Sequence, residues 1–394
     1  MARFSWLWIA LIALSLPVMA ADPVPPRPDG AVRVASFNVA LARKGPGLLL
    51  RDLERGDRQA DAIAEIILRV RPDILLINEL DADPEGRALA AFRALLAEGV
   101  AGLDGIAYQA WAGSQNVGEP SDRDLDGDGR SAGPGDAWGF GRFPGQYAMA
   151  VLSRLPFDPG AIRSWREMRW AAMPGARRPR TPDGTPFHDE EIWTALRLSS
   201  KAHWAVPISL PGGGALTLLA THPTPPVFDG PEDRNGRRNA DEIRLLIDIL
   251  DGADWLVDDA GHTGGLAPEA AVVVAGDLNA DPLDGDGVRA QIAALLGHPR
   301  LQDPKPASLG ASAAGGGGPK AGDPALHTAD WPDAPKGPGN LRVDYVLPSK
   351  SLEVVGSGVF WPEPGHPLAR LTKGGRRPAS SDHRLVWIDI ALPR

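Results

Sequence analysis

The sequence predicts an α/β fold in which two packed sheets are covered by helices on their outer faces. Apolar runs of strand length alternate with segments whose apolar residues recur at helical spacing. This order of strand, helix and strand occurs once in each half of the chain. No change of composition resembles an interdomain linker, so we expect one domain over residues 31–394.

The predicted elements follow from these patterns in chain order. In the first helix, Ile63, Ile66 and Ile67 lie on one face, and the pair Arg71-Pro72 ends it. Strands are predicted at 31–39, 73–80, 147–153, 192–198, 204–210, 216–222, 271–278, 343–347 and 384–390, and helices at 60–70, 88–96, 241–250 and 288–296. Residues 114–145, rich in Gly, Asp and Pro, predict a long loop too polar to join the core, and 307–322 predict a low-complexity loop.

The N-terminus has the pattern of a secretory signal peptide over residues 1–20. Arg3 precedes an apolar run at 6–16, and small residues at the end of the segment favour cleavage after Ala20. The run is shorter than the ~20 residues that a membrane anchor needs, although a retained anchor is the alternative. We therefore expect an exported protein, periplasmic or secreted, without stable membrane insertion after cleavage. A proline-rich lead-in follows at 21–30.

Composition excludes several classes of protein. The 394 residues include no cysteine, which rules out thiol nucleophiles, cysteine zinc sites and disulfides. The formal net charge of −9 argues against a protein that coats nucleic acid through a basic face. If the substrate is a phosphate ester, local arginines and a bound cation must attract it. Nothing in the sequence implies a protein partner.

Polar and acidic residues recur where the predicted strands end. One such residue is usually a turn former or a helix cap. Here six strand ends or turns share the pattern, and their side chains can gather at one rim while the apolar runs fill the core. These residues are Asn38, Glu79, His222, Asp277 with Asn279, Asp344, and Asp382 with His383.

These residues lie in motifs that resemble those of the endonuclease/exonuclease/phosphatase superfamily of metal-dependent phosphoesterases, which includes deoxyribonuclease I. The resemblance spans nearly the whole chain after the lead-in, and the motifs GDLN and SDH, in that order, are its most specific part. It implies a four-layer α/β sandwich with the active site at one rim. The matching segments are VASFNV (34–39), DILLINEL (73–80), GQYAMAVLSR (145–154), THP (221–223), AGDLNADP (275–282), RVDYVL (342–347) and SSDHRLV (380–386).

The resemblance implies a divalent metal site. Glu79 is similar to the principal metal ligand of the family, with Asn38 beside it and Asp382 reaching the same ion. Carboxylate oxygens suit Mg²⁺ or Mn²⁺ and leave coordination positions for water and phosphate. The cation would neutralise the negative charge that develops during attack on phosphorus.

The resemblance also implies roles for the other motif residues. Asp277 would orient or deprotonate the attacking water, and Asn279 would donate to a phosphate oxygen. His383, held by Asp344, would contact a phosphoryl oxygen in its charged form. His222 is similar to the second histidine of the deoxyribonuclease branch, which protonates a leaving oxygen or stabilises phosphate.

Two positions depart from the family pattern. Ala40 stands where many family nucleases have a carboxylate, which makes a two-metal site less favourable. Gln146 stands where the deoxyribonuclease branch has a glutamate that supports its histidine, so we expect this amide to orient His222 near the substrate phosphate. Arg237 and Arg238 are further candidates for bidentate contact with a phosphate.

A second motif predicts a calcium site. Alternating aspartates followed by glycine resemble the opening positions of an EF-hand loop, in which oxygens converge on one ion. The later glutamate of a full EF-hand is absent where it would be expected, and a solvated acidic loop is the alternative. The four aspartates are Asp122, Asp124, Asp126 and Asp128.

The leading functional prediction is an exported, metal-dependent phosphoesterase, most simply a phosphodiesterase or nuclease, in which an activated water attacks in line. A phosphomonoesterase acting on a small substrate is one alternative, and a phospholipid head group is a further possible substrate. The alternative from another class is an inactive calcium-binding extracellular protein with the same fold. A protein that had lost catalysis would be expected to lack one of Glu79, Asp277, Asn279 or His383, and all four are present.

Overall fold

A computed structural model describes residues 23–315, 320–333, 335–374 and 378–392. The predicted signal peptide lies outside the described residues. Eleven strands within those residues form two mixed sheets. The strands are β1 (Ala31–Leu41), β2 (Ile74–Leu80), β3 (Gln109–Trp111), β4 (Ala150–Ser153), β5 (Arg163–Ser164), β6 (His203–Ser209), β7 (Ala215–Thr221), β8 (Val272–Asp277), β9 (Asp344–Pro348), β10 (Val354–Val359) and β11 (Val386–Ala391).

The first sheet has the strand order β10-β11-β1-β2-β4-β3, and the second has the order β5-β6-β7-β8-β9. The pairs β1–β2 and β7–β8 are parallel, and the other pairs are antiparallel. The α-helices of the described residues are α1 (Leu48–Arg55), α2 (Arg58–Val70), α3 (Arg87–Glu98), α4 (Glu190–Ala195), α5 (Arg234–Leu250), α6 (Arg289–Leu296) and α7 (Leu309–Ala314).

Three apolar clusters hold these elements in four layers. Between the sheets, residues of β1, β2 and β11 pack against residues of β6, β7 and β8, with Val34, Trp204 and Val273 among them. On the outer face of the first sheet, α1, α2 and α3 bury residues such as Ile63 and Phe92. On the outer face of the second sheet, α5 and α6 do the same. The predicted four-layer α/β sandwich is therefore confirmed.

Two predicted elements are wrong. Residues 190–195 form helix α4 instead of a strand, because the side chain of Asp189 caps the helix by accepting a hydrogen bond from the Ile192 amide at 2.7 Å. Part of the predicted loop at 307–322 is helix α7, where Ser308 accepts from the Ala311 amide at 3.1 Å. In both places a side chain that caps the N-terminus of the helix stabilises a helix that the local sequence pattern did not predict.

The long loop at 114–145 is largely irregular, as predicted, but it is not excluded from the core. Val117, Trp138 and Phe143 are buried, and Trp138 joins the apolar cluster beneath α5. Helix α1 and strands β3, β5 and β10 had no clear sequence signal, since the three strands are short or lie at sheet edges. No described helix has the length and apolar character needed to cross a membrane.

A buried ion pair joins the neighbouring strands β1 and β11 of the first sheet. Arg33 of β1 donates to both carboxylate oxygens of Asp389 of β11, at 2.7 and 2.8 Å, and also to the Val70 carbonyl at 2.9 Å. Its guanidinium lies 4.1 Å from the ring centre of Trp387. Both partners are almost fully buried, so removing one leaves an uncompensated charge in the core.

We expect Asp389→Asn to lower the free energy of unfolding by about 3 kcal/mol or more, because the Arg33 charge stays buried without its carboxylate. Urea unfolding measured by circular dichroism checks this value. Glu191→Gln, which removes the partner of Arg123 in an exposed ion pair, is the control and should cost less than about 1 kcal/mol. Equal losses in the two variants would contradict the prediction.

Candidate active site

Strand directions bring the motif residues to one rim of the sandwich. Asn38 lies near the end of β1 and Glu79 near the end of the parallel strand β2. In the second sheet, Asp277 ends β8 and pairs in register with Asp344, which begins the antiparallel strand β9. Because β1 packs across β8 and β9, these strand ends meet at the same edge.

A direct hydrogen bond joins the two sheets at this rim. The Asn38 amide donates from Nδ2 to Oδ2 of Asp277 at 3.0 Å. Beside it, Oδ1 of Asn78 accepts from the backbone amide of Asp277 at 3.3 Å. Asn78 is completely buried and was missed from the sequence; its only signal was an amide one residue before Glu79 in an otherwise apolar strand. These contacts hold the Asp277 carboxylate in place.

Two histidines approach the same carboxylate oxygen. His222 Nε2 lies 3.4 Å from Oδ2 of Asp277, and His383 Nε2 lies 3.7 Å from it. The other ring nitrogen of His383, Nδ1, makes a 2.9 Å hydrogen bond with Oδ2 of Asp344. The Trp331 ring packs edge-on against the His383 ring at 5.3 Å. His383 is therefore held between two carboxylates, as the resemblance implies for Asp344.

The charges of this group stabilise one another. Burial alone would lower the pKa of His383, but the carboxylates of Asp344 and Asp277 raise this pKa well above its usual range. Burial also opposes the shift at Asp277, yet the charge of His383 and the contact with His222 hold the pKa of Asp277 well below its usual range. At neutral pH the site thus pairs a protonated His383 with an ionised Asp277.

His222 has the opposite electrostatic character. Burial, followed by the positive charge of Lys201, lowers the pKa of His222 to about 4. The imidazole is therefore neutral near pH 7, and neither ring nitrogen completes a hydrogen bond with any residue that the structure describes. Of its two predicted roles, this state favours contact with phosphate over donation of a proton to a leaving oxygen.

Lys201 is a component of the site that sequence reasoning missed. It lies two residues before β6 in a segment without a motif, and it lines the cavity that Glu79 also lines. Burial lowers the pKa of Lys201, while Glu242, Glu79 and Asp277 oppose that shift. No described residue forms a hydrogen bond or ion pair with Nζ. Its positive charge is thus available to an anion that enters the cavity.

Glu79 and Asp382 line the same cavity at the rim. Burial and then the charge of Asp382 raise the pKa of Glu79 to about 7. Asp382 accepts a hydrogen bond from Nε1 of Trp331 at 2.9 Å. Glu79 also has a backbone φ of 60°, and Asn279 has a φ of 51°, a region that side chains other than glycine adopt at a cost. Backbone strain and charge repulsion are both concentrated here.

This arrangement suits a divalent cation. The repulsion between two half-buried carboxylates is relieved when a cation lies between them, and oxygen donors match Mg²⁺ or Mn²⁺. Asp277, Asp344 and His383 also have ligand atoms within 4.8 Å of one another. In that group, however, Asp344 and Asp277 raise the pKa of His383 well above its usual range, so a metal would have to displace a proton from this ring. We therefore assign Glu79 and Asp382, with Asn38 beside them, as the residues that fit the ion.

Asn279 remains close to the site, although part of its amide is engaged. Its Nδ2 donates to the Pro223 carbonyl at 3.0 Å, which uses one of its two hydrogens, and its backbone amide donates to Oδ1 of Asp277 at 2.9 Å. The side chain lines the same cavity as Asp277 and His383. Its second amide hydrogen is the one that could reach a phosphate oxygen.

Three predicted phosphate contacts are not supported by their surroundings. Gln146 does not orient His222; it accepts from the Arg142 amide at 2.8 Å and donates to the Arg43 carbonyl at 2.7 Å, which fixes a loop. Arg237 lines neither cavity next to Glu79 and instead lies 3.9 Å from Asp233. Arg238 lines one cavity, but Nε and Nη2 donate to backbone carbonyls, including that of Leu198 at 2.9 Å.

The aspartate-rich loop brings together three of its four predicted ligands. Asp124, Asp126 and Asp128 have carboxylate oxygens within 4.8 Å of one another, whereas Asp122 is exposed and lies outside this group. Hydrogen bonds within the loop hold this group. For example, the Gly127 and Gly129 amides donate to the Asp124 carboxylate at 2.8 and 2.9 Å. Calcium binding at this loop stays a prediction.

Two cavities meet at Glu79. The first, about 490 Å³, is lined by the 114–145 loop and by Lys201, Arg234 and Phe228. The second, about 790 Å³, contains Asp277, Asn279, Asp382 and His383. Phe228 lines both, together with Pro225 and Val227. Asp277, Asp382 and His383 thus lie in the second cavity, which adjoins the first at Glu79.

The fold and the rim define an α/β-sandwich protein with a carboxylate and histidine site of the kind found in phosphoesterases. Residues 35–383 match the Endonuclease/Exonuclease/phosphatase family. The chain belongs to this family, whose members are hydrolases that act as phosphoesterases and nucleases. No curated protein matches the sequence.

Several solved structures are similar. An endonuclease/exonuclease/phosphatase from Beutenbergia cavernae DSM 12333 is 20% identical, with a TM-score of 0.50, over 93% of this chain and 72% of that chain. A family protein from Leptotrichia buccalis C-1013-b is 16% identical, with a TM-score of 0.48, over 92% and 100%. The human Nocturnin catalytic domain with bound sulfate is 16% identical, with a TM-score of 0.45, over 92% and 93%. The similarity to the Beutenbergia cavernae structure agrees with the α/β sandwich fold of this chain.

We expect Lys201→Met to raise the pKa of His222 from about 4, because a neighbouring positive charge is removed. The pKa should stay below its ordinary value of 6.5, since the ring remains buried. An NMR titration of the histidine ring signals measures this shift. Lys350→Met, at an exposed lysine, is the control and should leave it unchanged; an unchanged or lowered value in Lys201→Met would show that the lysine charge does not act on His222.

Proposed function

We propose that the protein is an exported, divalent-metal-dependent phosphodiesterase that uses in-line attack of water. The observation that carries this proposal is the convergence of Asn38, His222 and His383 on one oxygen of Asp277, next to the carboxylate pair Glu79 and Asp382. Membership of the family supports a phosphoesterase. Export rests on the signal-peptide pattern at residues 1–20.

Glu79 and Asp382, with Asn38, would hold Mg²⁺ or Mn²⁺. When bound, the ion neutralises negative charge on the phosphate and on the group that leaves. In the absence of a cation the raised pKa of Glu79, about 7, means that a proton competes for this position. Metal binding should therefore weaken as the pH falls below 7.

The residues of the chain act on the water and on the phosphate. Asp277 is ionised, and its fixed carboxylate orients the attacking water and takes a proton from it as the new P–O bond forms. The P–O bond to the leaving group breaks at the same time, and the leaving oxygen keeps the electron pair of that bond and is protonated by solvent. His383 is protonated and donates from Nε2 to a phosphoryl oxygen, where its charge favours the more negative transition state. Asp344 holds the His383 ring at Nδ1. His222, being neutral, carries one N–H, which donates to the phosphate.

The two adjoining cavities support a diester over a monoester. A phosphodiester carries a substituent on each side of phosphorus, and two cavities, of about 490 and 790 Å³, adjoin at Glu79. A small monoester would leave one of them unfilled. Lys201 and Arg234 line the first cavity, and Lys320 and Lys336 line the second. These cations supply local attraction for phosphate in a chain whose net charge is −9.

The experiment is an assay of the protein without residues 1–20 against plasmid DNA, RNA, bis(4-nitrophenyl) phosphate and 4-nitrophenyl phosphate, with Mg²⁺, Mn²⁺ or Ca²⁺. We expect diesters to be hydrolysed faster than the monoester, and EDTA to abolish the activity. Asp277→Asn and His383→Ala should each lower turnover by about 10²–10⁴-fold.

The control for these variants is His262→Ala, at an exposed histidine outside both cavities, which should retain full turnover. Thermal melting and circular dichroism check that each variant is folded. Near-normal rates in Asp277→Asn or His383→Ala would overturn the assigned roles. Absence of cation-dependent hydrolysis of every substrate would favour the inactive binding protein, and faster hydrolysis of the monoester would favour a phosphomonoesterase.

Calcium at the aspartate-rich loop is a separate prediction. If Asp124, Asp126 and Asp128 bind Ca²⁺, millimolar Ca²⁺ should raise the melting temperature of the wild type, because a ligand of the folded state stabilises it by mass action. The double variant Asp124→Ala, Asp126→Ala should lose this rise, and Asp122→Ala should keep it. A melting curve of the wild type that Ca²⁺ leaves unchanged would remove this site.

A further inference from the structure

Two aromatic rings stand exposed beside the candidate active site. Phe228 is 87% exposed and Phe140 is 56% exposed. Within the described ranges they are the only exposed phenylalanine, tyrosine or tryptophan residues. Both line the cavity that Glu79 and Lys201 also line. A single exposed apolar residue is ordinary, but the concentration of exposed aromatic surface at one cavity indicates a ligand.

Local contacts fix the position of Phe228 at a cost in backbone strain. Its φ of 67° is unfavourable for a bulky side chain. The residues on either side are both attached to Asn235 of helix α5. The Asn235 side chain donates to the Val227 carbonyl at 2.7 Å, and its backbone amide donates to Asp229 at 2.6 Å. The ring is therefore held out from the surface by contacts that persist without any ligand.

Phe140 is held in a similar way, between two glycines. A Cβ atom on Gly139 would lie 1.7 Å from the Ser200 carbonyl oxygen, so only glycine permits this close approach. The Gly139 amide donates to the Asn116 carbonyl at 3.0 Å. The Phe140 ring also lies 6.4 Å from the half-buried Tyr147 ring, at an interplanar angle of 35°. Both exposed rings thus lie on anchored backbone, which lowers the entropic cost of binding.

The cavity combines these rings with unpaired positive charge. The buried Lys201 ammonium has no partner among the described residues, because the nearby Glu242 carboxylate accepts instead from the Ser200 amide at 2.6 Å and the Thr224 amide at 2.7 Å. Arg234 lines the same cavity, although it is paired with Glu232, so the unpaired charge is that of Lys201. A ligand that matches both features has a flat π face and an anionic group close to it.

We propose that this cavity binds a nucleotide unit of the substrate, with its base stacked on Phe228 and Phe140 and its phosphate facing Lys201 and Glu79. This proposal rests on the proposed function and narrows its substrate class to nucleotide phosphodiesters. An acyl chain is the competing occupant for the apolar surface, but the charged side chains of Lys201, Arg234 and Asp126 in the lining disfavour it. A nucleobase also suits the position of the Phe228 and Phe140 rings, which are exposed to water.

The test measures binding by calorimetry in the presence of Mg²⁺, so that it does not depend on diester turnover. The probes are AMP, ribose 5-phosphate and dihexanoyl phosphatidylglycerol. In the wild type, AMP should bind about 5- to 150-fold more tightly than ribose 5-phosphate, as expected for a base stacked on an aromatic side chain. Phe228→Ala should remove most of this ratio and leave the affinity for ribose 5-phosphate unchanged.

Two further variants separate stacking from general apolar contact. Phe228→Trp should retain the ratio, and Phe228→Leu should lose it. Leu309→Ala, at a 66% exposed leucine outside both cavities, is the matched control and should retain it. Equal binding of AMP and ribose 5-phosphate, or a ratio that Phe228→Ala does not change, would overturn the proposal. So would a preference for the phospholipid that Phe228→Ala removes.

The outcomes also separate this inference from the proposed function. Hydrolysis of bis(4-nitrophenyl) phosphate without a preference for AMP would leave the phosphodiesterase in place and reject the nucleotide site. A preference for AMP that depends on Phe228, without hydrolysis of any diester, would support the nucleotide site and reject the phosphodiesterase.

Discussion

The candidate active site depends on one contact between the two sheets, the hydrogen bond from Asn38 to Oδ2 of Asp277. Asn38 belongs to the first sheet and Asp277 to the second, so this bond forms only when the apolar faces of the sheets have packed together. His222 and His383 then approach the same oxygen. The packing of apolar strands is therefore also what assembles the polar rim.

The charges at the rim are stable only as a set. A buried carboxylate or lysine alone is costly, and here Asp277 and Asp344 are balanced by His383, while Lys201 lies near Glu79 and Glu242 without touching either. Glu79 is the least compensated member, since burial and the charge of Asp382 act against its ionised form; its left-handed backbone is a separate conformational cost. This unfavourable ionisation of Glu79 occurs at the position where a bound cation would offset it. The surrounding layers, with ion pairs such as Arg33–Asp389, provide the stability to tolerate it.

Much of the fold and of the rim could be predicted from the sequence because each strand carries its own signal. Apolar runs that end in Asn38, Glu79 or Asp277 identify both a strand and a candidate site residue. Prediction failed where the decisive contact comes from elsewhere. Gln146 has the residue type to orient His222, yet its amide is taken by Arg142 and Arg43. Residues 190–195 became a helix through the cap at Asp189.

By itself, the sequence determined the order of strands and helices, the family, and which polar residues follow the apolar runs, because these are properties of local pattern and motif. Only the tertiary structure decided which of those residues share one carboxylate oxygen, and that Lys201 and Phe228 belong to the same cleft. Neither residue lies in a motif, and the cleft that each lines is formed by segments that are distant in the chain. Burial and neighbouring charges make His222 neutral and His383 protonated. These surroundings form only when the sheets pack, and for that reason two identical side chains differ in charge.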